Sequence, residues 1–156
     1  PLREPASRLN NVQALIITDA PDKKLPQGVT PSSNANIFYS SIKPQRFYSL
    51  HAPDQQQPAE YFSRFPRIAA MAGIGQPEKF LTTLHELNIH PSEFFPFPDH
   101  HHYQTSDIPK DFDVILTTQK DAVKLQSITS DNIWVLPVSV TIEPDFSSWV
   151  KTSLGL

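Results

Sequence analysis

Two short apolar runs, each handing over at once to a helix-forming segment, most constrain what this chain can become. Arg67-Ile68-Ala69-Ala70-Met71-Ala72 is followed by Gly73-Ile74-Gly75-Gln76 and then by a helical stretch from Pro77 to Asn88, in which Phe80, Leu84 and Leu87 recur at helical spacing. Pro77 and Asn88 suit the two ends of that helix. Phe112-Asp113-Val114-Ile115-Leu116-Thr117-Thr118 leads in the same way into a short helix over 120–126. Strands that alternate with helices are joined by crossovers, which makes their sheet parallel and covers both of its faces. The fold class that follows is α/β, a small three-layer α/β/α sandwich with a mostly parallel sheet.

Other segments fill out this outline. The apolar run 12–18 reads as a strand buried on both faces, and 37–42, 46–50, 89–97 and 133–138 as further strands. Pro5 opens a short helix, and Phe146 to Leu154 forms the last one, with Trp149 and Val150 facing inward. The segment from His51 to Glu60, with Gln55-Gln56-Gln57, is polar and flanked by proline, and reads as a mobile loop. Sixteen prolines in 156 residues imply long irregular connections. The length suits one α/β body over 11–156, with 1–10 as an arm from an upstream portion, since the chain opens at Pro1 within what reads as a loop entering a helix.

Charge and composition exclude several classes of function. A net charge of −3 with no dense basic run gives no general attraction to nucleic acid or to anionic lipid. The absence of cysteine removes disulfides and Cys-zinc sites, and fits a reducing, cytoplasmic setting. No apolar run approaches the ~18 residues that a membrane-spanning helix needs.

Three places carry candidate chemistry. Gly73-x-Gly75 is part of a dinucleotide fingerprint, but Glu78 stands at the third glycine position and Pro77 removes an amide, so a tight turn is the better reading. No Gly-x-x-x-x-Gly-Lys-Ser/Thr occurs, so the chain has no Walker-type loop for a triphosphate. Thr117-Thr118-Gln119-Lys120-Asp121 falls where a parallel strand ends and a helix begins, the edge at which open α/β sheets bind ligands. The same residue types also make a plain helix start, with Thr118 as cap and Asp121 favoured by the helix dipole.

The third place is Phe97-Pro98-Asp99-His100-His101-His102-Tyr103. In an extended segment His100 and His102 would share one face, and Asp99 and His101 the other. Two imidazoles make an incomplete metal site, with His85 and His90 the only reserves nearby, and no metal is assigned here. A general base and a structural strand end with exposed histidines both remain open.

Five segments in order resemble one known family: Pro1-Leu2-Arg3-Glu4; Ala72-Gly73-Ile74-Gly75-Gln76-Pro77-x-x-Phe80; Phe97-Pro98-Asp99-His100; Thr118-Gln119-Lys120-Asp121-Ala122-Val123-Lys124; and Trp134-Val135-Leu136-Pro137-Val138. The chain resembles the C-terminal half of the lipid A 4′-kinases (tetraacyldisaccharide 4′-kinases). That resemblance implies ATP- and magnesium-dependent phosphorylation of the 4′-hydroxyl of a tetraacyl glucosamine disaccharide. It places the reaction at the cytoplasmic face of the inner membrane, peripherally, in lipopolysaccharide assembly. It also implies an N-terminal P-loop domain as partner, holding most of the ATP and Mg2+ contacts, so that this portion alone would be inactive. His100 would then pair with an aspartate of that domain to activate the sugar hydroxyl, and Arg3 would stabilise the transferring phosphoryl group. Glu4, Asp99, Lys120 and Asp121 would lie near substrate or nucleotide. Gln119 departs from the family's glutamate, which leaves any role needing a carboxylate there without support.

Two rival readings use the same residues. Asp99-His100-His101 also matches the signature triplet of metal-dependent DHH phosphoesterases, for which Asp111-Phe112-Asp113 is the only Asp-x-Asp spacing available. A non-catalytic module that docks a partner on a sheet edge is the other.

Overall fold

The computed structural model describes residues 5–18, 20 and 22–156. In chain order the strands are β1 (Ala14–Thr18), β2 (Asn36–Pro44), β3 (Phe47–Ser49), β4 (Ala52–Gln57), β5 (Ile68–Ala72), β6 (Glu93–Pro96), β7 (Val114–Thr118), β8 (Ile133–Leu136) and β9 (Val138–Ile142). The α-helices are α1 (Pro77–Glu86), α2 (Gln119–Leu125) and α3 (Pro144–Leu154). The chain divides into two compact units, Pro44–Val138 and a second made of Pro1–Lys43 with Ser139–Leu156.

The unit over 44–138 is built on a six-stranded sheet in the order β4-β3-β8-β7-β5-β6. Strands β8, β7, β5 and β6 are mutually parallel, while β3 runs antiparallel to β8 and β4 antiparallel to β3. Every residue of β5 is buried, and its side chains divide between two cores. Ile68, Ala70 and Ala72 join Phe80 and Leu84 of α1, whereas Ala69 and Met71 join Ala122 and Leu125 of α2. Period-two alternation in a strand covered on both faces is what produces the three layers. The first core is closed by Phe62, which is fully buried, with ring centroids 4.6 Å from Phe47 and 5.5 Å from Trp134.

Local chemistry sets the ends of these elements. Pro77 occupies the first turn of α1, where its missing N–H costs nothing. Past the other end Asn88 takes a left-handed conformation (φ 57°), and Ile89 N–H bonds back to the Leu84 carbonyl at 2.9 Å. Thr118 caps α2, its hydroxyl accepting the Asp121 N–H at 3.1 Å.

Two expectations in this region and nearby are corrected. The polar segment after His51 is an edge strand, β4, paired with β3 through Phe47–Gln57 and Tyr48–Gln56. Backbone pairing suffices for such a strand, so its side chains need not alternate in polarity. Residues 138–142 form a further strand that the sequence reading did not assign.

The second unit holds a separate sheet in the order β1-β2-β9, with β1 and β2 parallel. As an edge strand β1 buries Ile17 but leaves Ile16 39% exposed, so it is not the doubly buried strand expected. Phe146 and Trp149 of α3 enclose Phe38 at 5.1 and 5.6 Å. Glu143, just before α3, bonds the Tyr39 N–H at 2.9 Å and Lys23 at 2.6 Å.

Phe62 tests the larger core. Phe62→Ala should lower unfolding stability by about 3–5 kcal/mol in urea titration, as removal of a fully buried aromatic does. A loss within ~0.5 kcal/mol, the range of surface substitutions, would contradict this packing.

Candidate functional site at the carboxyl edge of the parallel strands

Parallel strands bring the segments after β5, β6 and β7 to one edge of the sheet. The backbone begins this convergence, since Phe97 N–H bonds the Ala72 carbonyl at 2.8 Å. Beneath the surface the segments meet at Asp121, whose side chain is fully buried. One oxygen, Oδ2, accepts the Gly73 N–H at 3.0 Å and the Thr118 hydroxyl at 2.7 Å. The other, Oδ1, accepts from Lys124 Nζ at 3.2 Å. Lys124 also reaches the Gly73 carbonyl at 3.4 Å, and its ammonium lies 5.8 Å from the centre of the Tyr103 ring. A buried carboxylate needs this degree of satisfaction to stay in the fold.

Tyr103 seats the 97–107 segment on this base. A Cβ on Gly73 would stand 2.7 Å from the Tyr103 hydroxyl oxygen and 3.2 Å from Asp121 Oδ1, so only glycine lets the loop come this close. Burial first, and then the neighbouring Asp121 carboxylate, push the Tyr103 phenol above its ordinary value. His101 stacks on Phe97 at 4.6 Å, meets the edge of Tyr103 at 4.9 Å, and pairs through Nε2 with Asp107 Oδ2 at 3.0 Å. The Gln104 N–H, and then His101, hold the Asp107 carboxyl below its ordinary value.

Above this layer the chain turns sharply. His101 N–H bonds the Pro98 carbonyl at 3.1 Å, and His100 sits in the left-handed region with φ 62°. This turn overrides the alternation expected of an extended segment: His101 is drawn into the packing, while the His100 side chain is 79% exposed. Asp99 Oδ1 accepts the His100 N–H at 3.0 Å and Lys120 Nζ at 2.7 Å, and its Oδ2 lies 3.6 Å from His100 Nε2. Lys120, with some help from His100, holds the Asp99 carboxyl below its ordinary value.

The structure therefore brings Asp99, His100 and Lys120 together at the surface, with Asp121, next to Lys120 in the chain, buried against Gly73, Thr118 and Lys124. Arg3 and Glu4 fall outside the described residues. His102 is exposed, and the rings of His85 and His90 pack against each other, tilted, with centroids 5.1 Å apart. Lys124, Tyr103 and Gly73 escaped the sequence reading as parts of one site, although the three-residue step from Asp121 to Lys124 on a helix was a usable signal. Among the described residues no group of three or more His, Asp or Glu is placed to hold a metal ion. Asp99 and Asp121 each already face a lysine.

An imidazole, a carboxylate and an ammonium thus gather at the carboxyl edge of the parallel strands of an α/β protein, the edge at which proteins of that class bind ligands. The particular family is fixed by comparison. The family model of LpxK, tetraacyldisaccharide-1-P 4′-kinase, matches residues 1–155, and the chain belongs to this family. The tetraacyldisaccharide 4′-kinase of Dechloromonas aromatica is 42% identical over 145 residues, covering 92% of this chain and 41% of that protein. Its counterpart in Chromobacterium violaceum is 36% identical over 160 residues, covering 99% and 45%. Among solved structures, LpxK from Aquifex aeolicus in complex with ATP superposes with a TM-score of 0.65 at 26% identity, over 94% of this chain and 44% of that one. The chain thus spans less than half the length of the relatives it matches.

Gly73→Ala should destabilise the protein by about 1–3 kcal/mol, the usual cost of overpacking, and Gly73→Ala with Tyr103→Phe should recover part of that loss in urea unfolding. Equal stability of Gly73→Ala and the unaltered protein would contradict the close approach. The Asp99–Lys120 pair carries a pH signature. Because the Asp99 carboxyl is lowered relative to an unfolded chain, its share of stability is complete above the ordinary carboxylate range and is lost as pH falls through its own lower one. Lys120→Met should move the Asp99 midpoint upward, as read from the side-chain carboxyl carbon in an NMR titration.

Proposed function

We propose that this chain is the C-terminal portion of an ATP-dependent kinase acting on the 4′-hydroxyl of a tetraacyl glucosamine disaccharide in lipid A biosynthesis, with His100 as its contribution to the chemistry. The observation that carries the reading is the His100 turn: an exposed imidazole held at the ligand-binding edge of the sheet, in a chain of the 4′-kinase family.

A sugar hydroxyl is a poor nucleophile, and phosphoryl transfer depends on positioning and on stabilising the charge of the transferring group. His100 pairs with an aspartate of the upstream half to activate the 4′-hydroxyl, whose proton passes to that pair as its oxygen bonds to the γ-phosphorus and the bond to ADP breaks. Arg3, through its match to a family arginine, supplies fixed positive charge for the transferring group, and Glu4 is a weaker candidate for a residue near substrate or nucleotide. ATP is held mainly by the upstream half, this chain having no Walker-type loop. Magnesium, which neutralises phosphate charge when bound, belongs there as well, and no step on this chain passes through it. The portion described here is inactive alone. The substrate's acyl chains keep the whole protein peripheral to the cytoplasmic face of the inner membrane; among the described residues no helix is long and apolar enough to cross it. Nucleic acid is not a partner.

The phosphoesterase reading gains nothing from the geometry. Asp113 lies at the amino end of β7, where its carboxylate accepts the Arg67 N–H at 2.9 Å, at the opposite edge of the sheet from His100.

The test restores the upstream half and follows ATP-dependent phosphorylation of the disaccharide lipid. His100→Ala should lower kcat by roughly 10²-fold or more, the scale of a lost acid/base group. Unchanged turnover in that variant would remove His100 from the mechanism.

A further inference from the structure

We propose that Lys120 is a positioning residue for His100, acting entirely through Asp99: it clamps the carboxylate that holds the His100 turn and touches neither substrate nor nucleotide itself. The proposal rests on the kinase reading for its consequence, but the clamp itself is a property of these three residues.

Geometry supplies the argument. A histidine with φ 62° is in a region that side chains disfavour, and such a conformation persists where its surroundings fix it. Two contacts do so. One is the backbone bond that closes the turn from His101 to Pro98; the other is the 3.0 Å bond from the His100 N–H to Asp99 Oδ1. The same oxygen receives Lys120 Nζ at 2.7 Å, across 21 residues of sequence. With side chains 49% and 40% exposed, this ion pair adds little to stability, as surface pairs generally do. Its effect is geometric: it joins the exposed His100 turn to the start of α2.

The start of α2 is itself fixed. Thr118 caps the helix, and Asp121, next to Lys120, is buried against Gly73, Thr118 and Lys124. The neighbouring charges are accounted for: His101 is turned to Asp107, and Lys124 to Asp121. Asp99 is thus the charged group that faces the His100 ring, and Lys120 is the cation that holds Asp99. Placement within a few tenths of an ångström governs proton transfer, which gives a weak surface pair a strong kinetic effect.

A double-mutant cycle in the full-length enzyme, with the upstream half present, decides this. Lys120→Met and Asp99→Asn should each lower kcat by about 10-fold to 10²-fold while leaving the KM for ATP and for lipid within about twofold. The double variant should be no worse than either single one, and Lys120→Arg should restore most of the rate. In the same protein without substrates, Lys120→Met should speed water exchange of the His100 amide by about 10-fold as its bond to Asp99 loosens. Losses that multiply in the double variant, a raised KM, an unaffected kcat, or an unaltered His100 amide would each overturn the proposal. Full activity of His100→Ala would instead defeat the kinase role of His100, and the amide measurement would still decide the clamp.

Discussion

A carboxylate taken out of water must find all its hydrogen bonds within the protein, and Asp121 finds them on the segments that meet at the sheet edge. It takes an N–H from the turn after β5, a hydroxyl from the last residue of β7 and an ammonium from α2. Removing one of these partners would leave a buried carboxylate short of a hydrogen bond, and removing the carboxylate would leave the half-buried Lys124 without its counter-charge. This is why a residue that resembles an ordinary first-turn acid of a helix governs the shape of the site.

The rest of the site is layered on that contact. Tyr103 rests on Gly73 where a Cβ would collide with it, and carries the 97–107 segment, with Phe97 and His101 stacked alongside. One residue before Asp121 in the chain, Lys120 reaches upward to Asp99 and so to the His100 turn. Order therefore passes from a buried carboxylate, through an aromatic layer, to an exposed imidazole. On the kinase reading proposed above, phosphoryl transfer to a sugar hydroxyl asks for such an accessible group held in place.

The parts of the fold legible in the sequence were those written by burial on both faces. Strands β5 and β7, helix α1 with Pro77 and Asn88 at its limits, and the Thr118 cap all follow from local pattern and local chemistry. Segments stabilised by backbone pairing were hidden where β4 is polar and β9 follows Pro137 directly, while β1 was legible as a strand but not as an edge strand with Ile16 exposed. At the site, Asp99, His100 and Lys120 could be named because they lie in recognisable segments. Their arrangement could not, since the left-handed backbone at His100 breaks the alternation an extended segment would give. Local pattern makes Gly73 a turn residue. Its reason for being glycine is a tyrosine thirty positions away, which no local pattern can show.

If Asp121 holds the three segments together, its loss must loosen all of them at once. Amide hydrogen exchange compares the folded protein with Asp121→Asn most directly. The account predicts that the amides of Gly73, Asp121 and the 97–107 segment all lose protection together in the variant, while those of β5 and β7 keep theirs. Loss confined to Gly73, with residues 97–107 exchanging as before, would contradict it.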